Sequence, residues 1–202
     1  MIVADITMSL DGYVTGPEPG PGQGLGREGK PLHLWAFDAS SEVDARVLRE
    51  AVESTGAVVM GRRTFEVVDA PGGWSEDVGY GAGHATTPPV FVVTHRVPDS
   101  VRLTSRFSFV TDGLEAALEC ARGASGEKDV VVMGGGDVVR QSVSLGLVDE
   151  LRIHLVPIIL GAGTPLFDDG ETRQLIQHSV QVSPLATHLA YRLAPALPSA
   201  LR

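Results

Sequence analysis

At 202 residues, with 43% hydrophobic and 20% charged positions, the chain has the size and make-up of one globular domain with a sizeable core. Its formal net charge of −9 argues against nucleic acid or an anionic membrane as partner, because both demand basic patches. The single cysteine, Cys120, excludes an intrachain disulfide and a cysteine-rich zinc site. It falls in the helical pattern "GLEAALECARG", which predicts a packed thiol. No apolar run approaches the ~18 residues of a membrane helix and no signal peptide is visible, so a cytoplasmic protein is expected.

In chain order, the strand-like "IVADITM" comes first and leads into "MSLDGYV". From Gly16 to Pro31 the chain is mostly glycine, proline and polar residues, the composition of a mobile loop. Within it, "GLGREGKP" matches two phosphate-binding spacings, those of the Walker A loop and of G-x-G-x-x-G. Pro31 stands where a Walker loop needs a hydroxyl, and no strand precedes the glycines, so the stretch reads as a loop. Trp35 and Phe37 in "HLWAFD" fit either a substrate wall or a packing staple ahead of a helix. That helix is expected over 42–54, where Val43, Val47, Ala51 and Val52 recur behind a Ser40–Ser41 cap.

Continuous apolar runs at 57–60, 90–93 and 130–133 predict strands buried on both faces. Further strands are expected at "RFSFVT" and "ELRIHLVPII", and helices at 113–122 and 137–145, the last between Asp137 as cap and Gly146 as stop. Strands alternating with helices predict an α/β domain with a largely parallel sheet. "SVQVSPL" and "HLAYRLA" alternate and lie close together, which predicts a closing antiparallel hairpin at the sheet edge. One domain over 1–195 and a loose tail over 196–202 follow.

Three strand ends carry ligand chemistry. In "VVMGRRTFE", Gly61 allows close approach, Arg62 and Arg63 can grip a phosphate and Thr64 offers a hydroxyl. In "VVVMGGGDVV", three glycines before a helix would aim bare N–H groups at an anion. "FVVTHR" places Thr94, His95 and Arg96 after a third buried strand. Ligands of open α/β sheets sit at the carboxyl ends of strands, so the three together describe a long ligand with several phosphates. His33, His84, His154, His178 and His188 show no metal-ligand spacing, and no metal is expected. Trp74 lies in a glycine-rich loop.

With these motifs in this order, the chain resembles the dihydrofolate reductase-like superfamily. Within it, the likeness is to the reductase (C-terminal) domain of the bacterial riboflavin-biosynthesis deaminase–reductase, RibD. The most specific stretch is "VVMGGGDVVRQSVSLGLVDELRIHLVPIILGAGTPLF". The resemblance implies a three-layer α/β/α fold, NADPH as cofactor and hydride transfer to a small heterocyclic or carbonyl-like substrate, riboflavin-precursor-like or pterin-like. It implies that Ala4 and Ile6 line the nicotinamide pocket, and that Gly61, Arg62 and Thr64 hold phosphates. Thr94 with His95 or Arg96 would lie near the adenosine 2′-phosphate, and Gly134, Gly135, Gly136, Asp137 and Val138 would cradle the pyrophosphate. Asp11, with Gly12, matches the loop beside the reaction centre and would touch substrate; Trp35, as a substrate wall, is a candidate from the residues alone. The proton would come from water or Asp11.

Asp44 lies near the carboxylate that folate reductases use. Glu42 and Asp44 in a first helical turn are equally what the helix dipole favours, so both a catalytic and a structural role for Asp44 stay open. The long loop holding "GLGREGKP" would be a lid over the nicotinamide or substrate. The deaminase half is absent, since one cysteine cannot supply its zinc site. A homodimer joined through the C-terminal strands is also implied. A protein that binds nucleotide on this fold without catalysis is the alternative.

Overall fold

The computed structural model describes residues 1–38, 40–75, 77–82, 87–167 and 172–194. At its centre is β1 (Ile2–Ser9), which pairs in parallel with β6 (Asp129–Val132) on one side and β7 (Glu150–Val156) on the other. Beyond β6 lie β3 (Thr55–Gly61), β4 (Val90–Val93) and β5 (Phe107–Val110), all parallel. Beyond β7, β10 (Thr187–Leu193) and β9 (Leu175–Val182) add antiparallel, giving the eight-stranded order β5-β4-β3-β6-β1-β7-β10-β9. The closing hairpin therefore sits at the sheet edge, as its alternation predicts. A short second sheet pairs β2 (Tyr13–Thr15) with β8 (Thr164–Pro165); neither strand is long enough to leave a periodic signal.

Helices cover both faces, completing the three-layer α/β/α arrangement. On one face α4 (Leu114–Ser125) and α5 (Gly136–Ser144) bury Ala4, Ile6, Ala57, Val59, Val130 and Val132. On the other, α3 (Arg62–Val68) packs Phe65 and Val68 on Val58, Met60, Val90 and Val92. Also on that face, α1 (Leu34–Phe37) and α2 (Glu42–Ser54) pack Trp35, Val47 and Leu48 around Val156 and Ala186. Each such valine contributes about 1.5–3 kcal/mol by leaving water, which is why apolar runs at the centre of the sheet need no polar alternation. Among the described residues, no helix is long and apolar enough to cross a membrane.

Several local expectations change. Arg62 begins a helix that the sequence did not predict, α3, whose seven residues are too few for a periodic pattern. The α5 helix starts at Gly136 with Gly135 as N-cap, and Asp137 lies inside its first turn instead of capping it. Its stop at Gly146, φ +69°, is as expected. β7 ends at Val156, because Pro157 cannot donate to a ladder. Cys120 lies on the exposed face of α4, not in the core. Trp74 stacks on Phe107 under Arg106, and Phe37 is 81% exposed.

The loop from Gly16 to Pro31 is a compact fold-back. Gly16 N–H donates to the Leu25 carbonyl at 2.8 Å and Arg27 N–H to that of Pro17 at 2.8 Å. A Cβ on Gly16 would stand 2.0 Å from the Arg27 carbonyl oxygen, so this glycine serves backbone contact within the loop. At its end, Lys30–His33 form a 3₁₀ turn with Pro31 in its opening residues. The tail at 196–202 and His84 lie outside the described residues.

Candidate functional site

β3 and β6 are neighbours, and both run into helices at the same edge of the sheet. Their register joins the two turns: Gly61 N–H donates to the Gly134 carbonyl at 2.9 Å. Gly134 has φ +129°, a conformation that a side chain would strain, and its peptide bond to Gly135 is cis. A Cβ on Gly135 would lie 3.2 Å from the Thr64 hydroxyl, and one on Gly136 would lie 2.9 Å from Val14 Cγ2. The glycine turn is thus held between Thr64 of α3 and the small β2–β8 sheet. No described side chain caps α5. The Val138 and Val139 N–H groups donate to the Gly135 carbonyl at 3.0 and 3.2 Å, and those of Gly136 and Asp137 ahead of them face the helix N-terminus, where an anion is favoured.

Arginines surround this turn, each already paired. Arg62 donates to Glu66 at 2.8 Å and to the Arg96 carbonyl at 3.0 Å, tying the β3 turn to the one after β4. Arg63 donates to Asp137 at 3.2 Å, which also accepts from Arg140 at 2.6 Å. Thr94 is buried and donates to the Arg96 carbonyl at 2.8 Å, whereas His95 and Arg96 are exposed, Arg96 against Asp99 at 3.0 Å. Exposed ion pairs of this kind are worth about 0–1 kcal/mol, so an arriving phosphate can exchange them at little cost.

The structure therefore brings together Gly61, Arg62, Thr64, Gly134, Gly135, Gly136, Asp137 and Val138, with Thr94, His95 and Arg96 linked through Arg62. Ala4 and Ile6 are placed otherwise. Ala4 pairs with Val132, which sets Ile6 level with Gly134, but both side chains point into the core beside α5. Only their backbone is available to a ligand.

Asp11 is an acceptor of three hydrogen bonds: from Ser9 Oγ at 2.6 Å, Gly161 N–H at 2.7 Å and Leu160 N–H at 3.1 Å. The Ser9 hydroxyl foremost, then the two amides, hold its carboxyl below the usual range. The carboxylate staples two loops together, an arrangement opposed to proton donation.

Trp35 is buried, donating from Nε1 to Thr7 Oγ1 at 3.1 Å. Asp44 is buried too, and capping does not account for its side chain. Ser41 caps α2 by accepting the Asp44 N–H at 3.2 Å, while the Asp44 carboxylate meets His188 Nε2 at 2.6 Å. His188 in turn meets His154, Nδ1 to Nδ1, at 2.7 Å, and His154 Nε2 meets Asp5 at 2.9 Å. Sequence reasoning missed this line of four. The strand patterns gave no signal: alternation puts His154 on a face with Arg152, and His188 on one with Ala190 and Arg192, and only folding buries both rings. The line borders a cavity of about 340 Å³ between α2 and strands β7, β10 and β9. Among the described residues no group of three or more His, Cys, Asp or Glu is placed to hold a metal.

Comparison with known proteins places this geometry in a family. YyaP of Bacillus subtilis strain 168, an uncharacterized protein, is 22% identical over 184 residues, 85% of this chain and 82% of its own. A candidate riboflavin biosynthesis protein from Shewanella sp. PV-4 superposes with a TM-score of 0.67 at 23% identity, over 96% of this chain and 98% of that one. Dihydrofolate reductase from Enterococcus faecalis, solved with NADP(H), superposes with a TM-score of 0.57 at 18% identity, over 96% and 97%. At these identities the structural likeness establishes the dihydrofolate reductase-like fold. The family model of the RibD C-terminal domain matches residues 1–189, and the chain belongs to that family.

Proposed function

We propose that this protein is an NADPH-dependent reductase of a small heterocyclic or carbonyl-like acceptor. The observation that carries the reading is the glycine turn at Gly134–Gly136, which opens a helix without a side-chain cap beside the Thr64 hydroxyl, with φ +129° at Gly134 and a Cβ on Gly136 only 2.9 Å from Val14. Such a turn suits a pyrophosphate, because backbone N–H groups and the helix dipole both favour an anion there. Arg62, held between the β3 and β4 turns, would meet an additional phosphate with help from Thr94, His95 or Arg96, which supports NADPH over NADH. Bound there, the cofactor would supply the hydride. The chain's own part is to hold acceptor and cofactor together, exclude water and provide a proton. Of the two carboxyls, Asp44 is favoured for that proton: three hydrogen bonds hold Asp11 as a carboxylate, whereas Asp44 Oδ2 is buried without a hydrogen-bond partner.

A homodimer through the C-terminal hairpin is part of the proposal. Edge strand β9 exposes Ile176, Val180 and Val182, an apolar surface that a second copy would cover. Light scattering checks it. The cofactor reading is tested by titrating the protein with NADPH and NADH, following nicotinamide fluorescence, and then by screening flavin precursors, pterins and small carbonyls for NADPH oxidation. Tight NADPH and weak NADH binding is expected. Binding without turnover of any acceptor would leave a nucleotide-binding protein on a reductase fold; binding of neither would refute the proposal.

A further inference from the structure

Asp44 of α2, His188 of β10, His154 of β7 and Asp5 of β1 form a line of three hydrogen bonds, 2.6, 2.7 and 2.9 Å long. With both carboxylates ionised, each must receive a hydrogen from an imidazole Nε2, and the Nδ1–Nδ1 contact requires one more between the rings. Three protons thus occupy three bonds, so one of the two imidazoles is charged. Placing a proton on a carboxyl instead leaves the count at three. Burial pushes Asp5 up, but the His154 charge and hydrogen bond, with Arg152, bring it below its ordinary value, so that end stays a carboxylate. Burial pushes His188 down, against the pull of Asp44.

Building on the reductase reading, we propose that His188, His154 and Asp5 hold in reserve the proton that Asp44 delivers at each turnover. Location supports Asp44 as the outlet. α2 ends where β3 begins, and its Val47 and Leu48 pack on Val156 at the C-terminal end of β7, so its first turns lie toward the end of the sheet that carries the Gly61 and Gly134 turns. Trp35 lies over the store, 4.1 Å from the His154 ring and 5.0 Å from that of His188, and keeps water from the rings on that side. The 340 Å³ cavity touches Asp5, His154 and His188 on the other side and gives solvent a route for reloading.

As the acceptor carbon gains a hydride from the reduced nicotinamide, the electron pair of its double bond moves to the heteroatom. His188 Nε2 passes its proton to the Asp44 carboxylate, which hands it on to that atom, so Asp44 ends as a carboxylate and both imidazoles end neutral. One proton from water restores the line after product leaves. Neighbouring charges do not compete for it. Arg152 pairs with Glu150 at 2.6 Å, His178 contacts Glu150 at 3.0 Å, and Glu50 of α2 lies in the cavity wall. His33 is pushed down to about 4, by burial first and then by His154, and is neutral at physiological pH.

The test is Asp5→Asn, which keeps an oxygen for His154 Nε2–H and removes the charge that helps retain the third proton. With that proton held less firmly, the alkaline limb of kcat moves to lower pH. A fall of about tenfold at pH 8 against about twofold at pH 6, with KM unchanged, is expected. A uniform loss, or none, would overturn the role. Independently of any acceptor, proton NMR of the unliganded wild type at pH 7 should show one far-downfield N–H resonance coupled to both rings. It should disappear in His154→Gln and in His188→Gln. Two neutral rings without that resonance would refute the store itself. The resonance present in a protein that transfers hydride to no acceptor would overturn the reductase reading alone.

Discussion

Gly61→Ala isolates one steric contact at the candidate site. Gly61 has φ −83° and ψ 165°, a conformation that alanine adopts freely, so backbone strain plays no part. The obstacle is Val138. A Cβ on residue 61 would lie 2.7 Å from Val138 Cγ2, with the Gly135 nitrogen next at 3.8 Å. Val138 sits in the first turn of α5, where a β-branched side chain has one strongly preferred rotamer, so it cannot simply swing aside. The turn or helix must move by several tenths of an ångström. Overpacking of this size costs about 1–3 kcal/mol, or roughly 2–4 °C of Tm per kcal/mol in a domain this long.

Val138→Ala removes the clashing methyl, so in the double variant the two changes should offset each other, with a favourable coupling of about 0.5–3 kcal/mol. Chemical denaturation of the wild type, both single variants and the double variant measures this cycle, and NADPH titration of the same four proteins follows the turn itself. Affinity should fall in Gly61→Ala and return in the double variant. Strict additivity in stability would refute the steric account.

Arg62→Ala should weaken NADPH at least about tenfold more than NADH, since a charge-assisted phosphate contact is worth about 1.5–3 kcal/mol; equal losses would remove Arg62 from the 2′-phosphate. Asp11→Asn should destabilise the fold at pH 7. Because the folded Asp11 carboxyl lies below its unfolded value, that penalty is full above the unfolded value and vanishes as pH falls through the folded one; urea midpoints across pH 2–7 follow it. Lys30→Ala should leave nucleotide affinity within about twofold, as Lys30 is exposed on a 3₁₀ turn; a large loss by fluorescence titration would restore the Walker reading of that loop.

The parallel sheet, the hairpin and the α2 helix were legible because long apolar runs and 3.6-residue spacing are properties of neighbours in sequence. Gly134–Gly136 stood out for a similar reason, three adjacent residues with no structural economy. What escaped depended on distant partners. His154 and His188 are 34 residues apart, and Asp44 is 144 residues from His188; no spacing rule connects them. The glycines at 16–31 looked like flexibility, yet at Gly16 they serve contacts with a backbone that only folding brings near. Asp11 matched a loop beside the reaction centre, and its stapling role became apparent only once Gly161 and Leu160 were in place.

The outward position of Cys120 has a practical consequence. As the sole thiol in the chain, exposed on a helix that packs over β3, β4 and β6, it offers one attachment point at the end of the sheet away from the C-terminal hairpin. A maleimide linkage there would orient every molecule alike on a sensor surface. Cofactor capture and self-association could then be watched on the same immobilised protein.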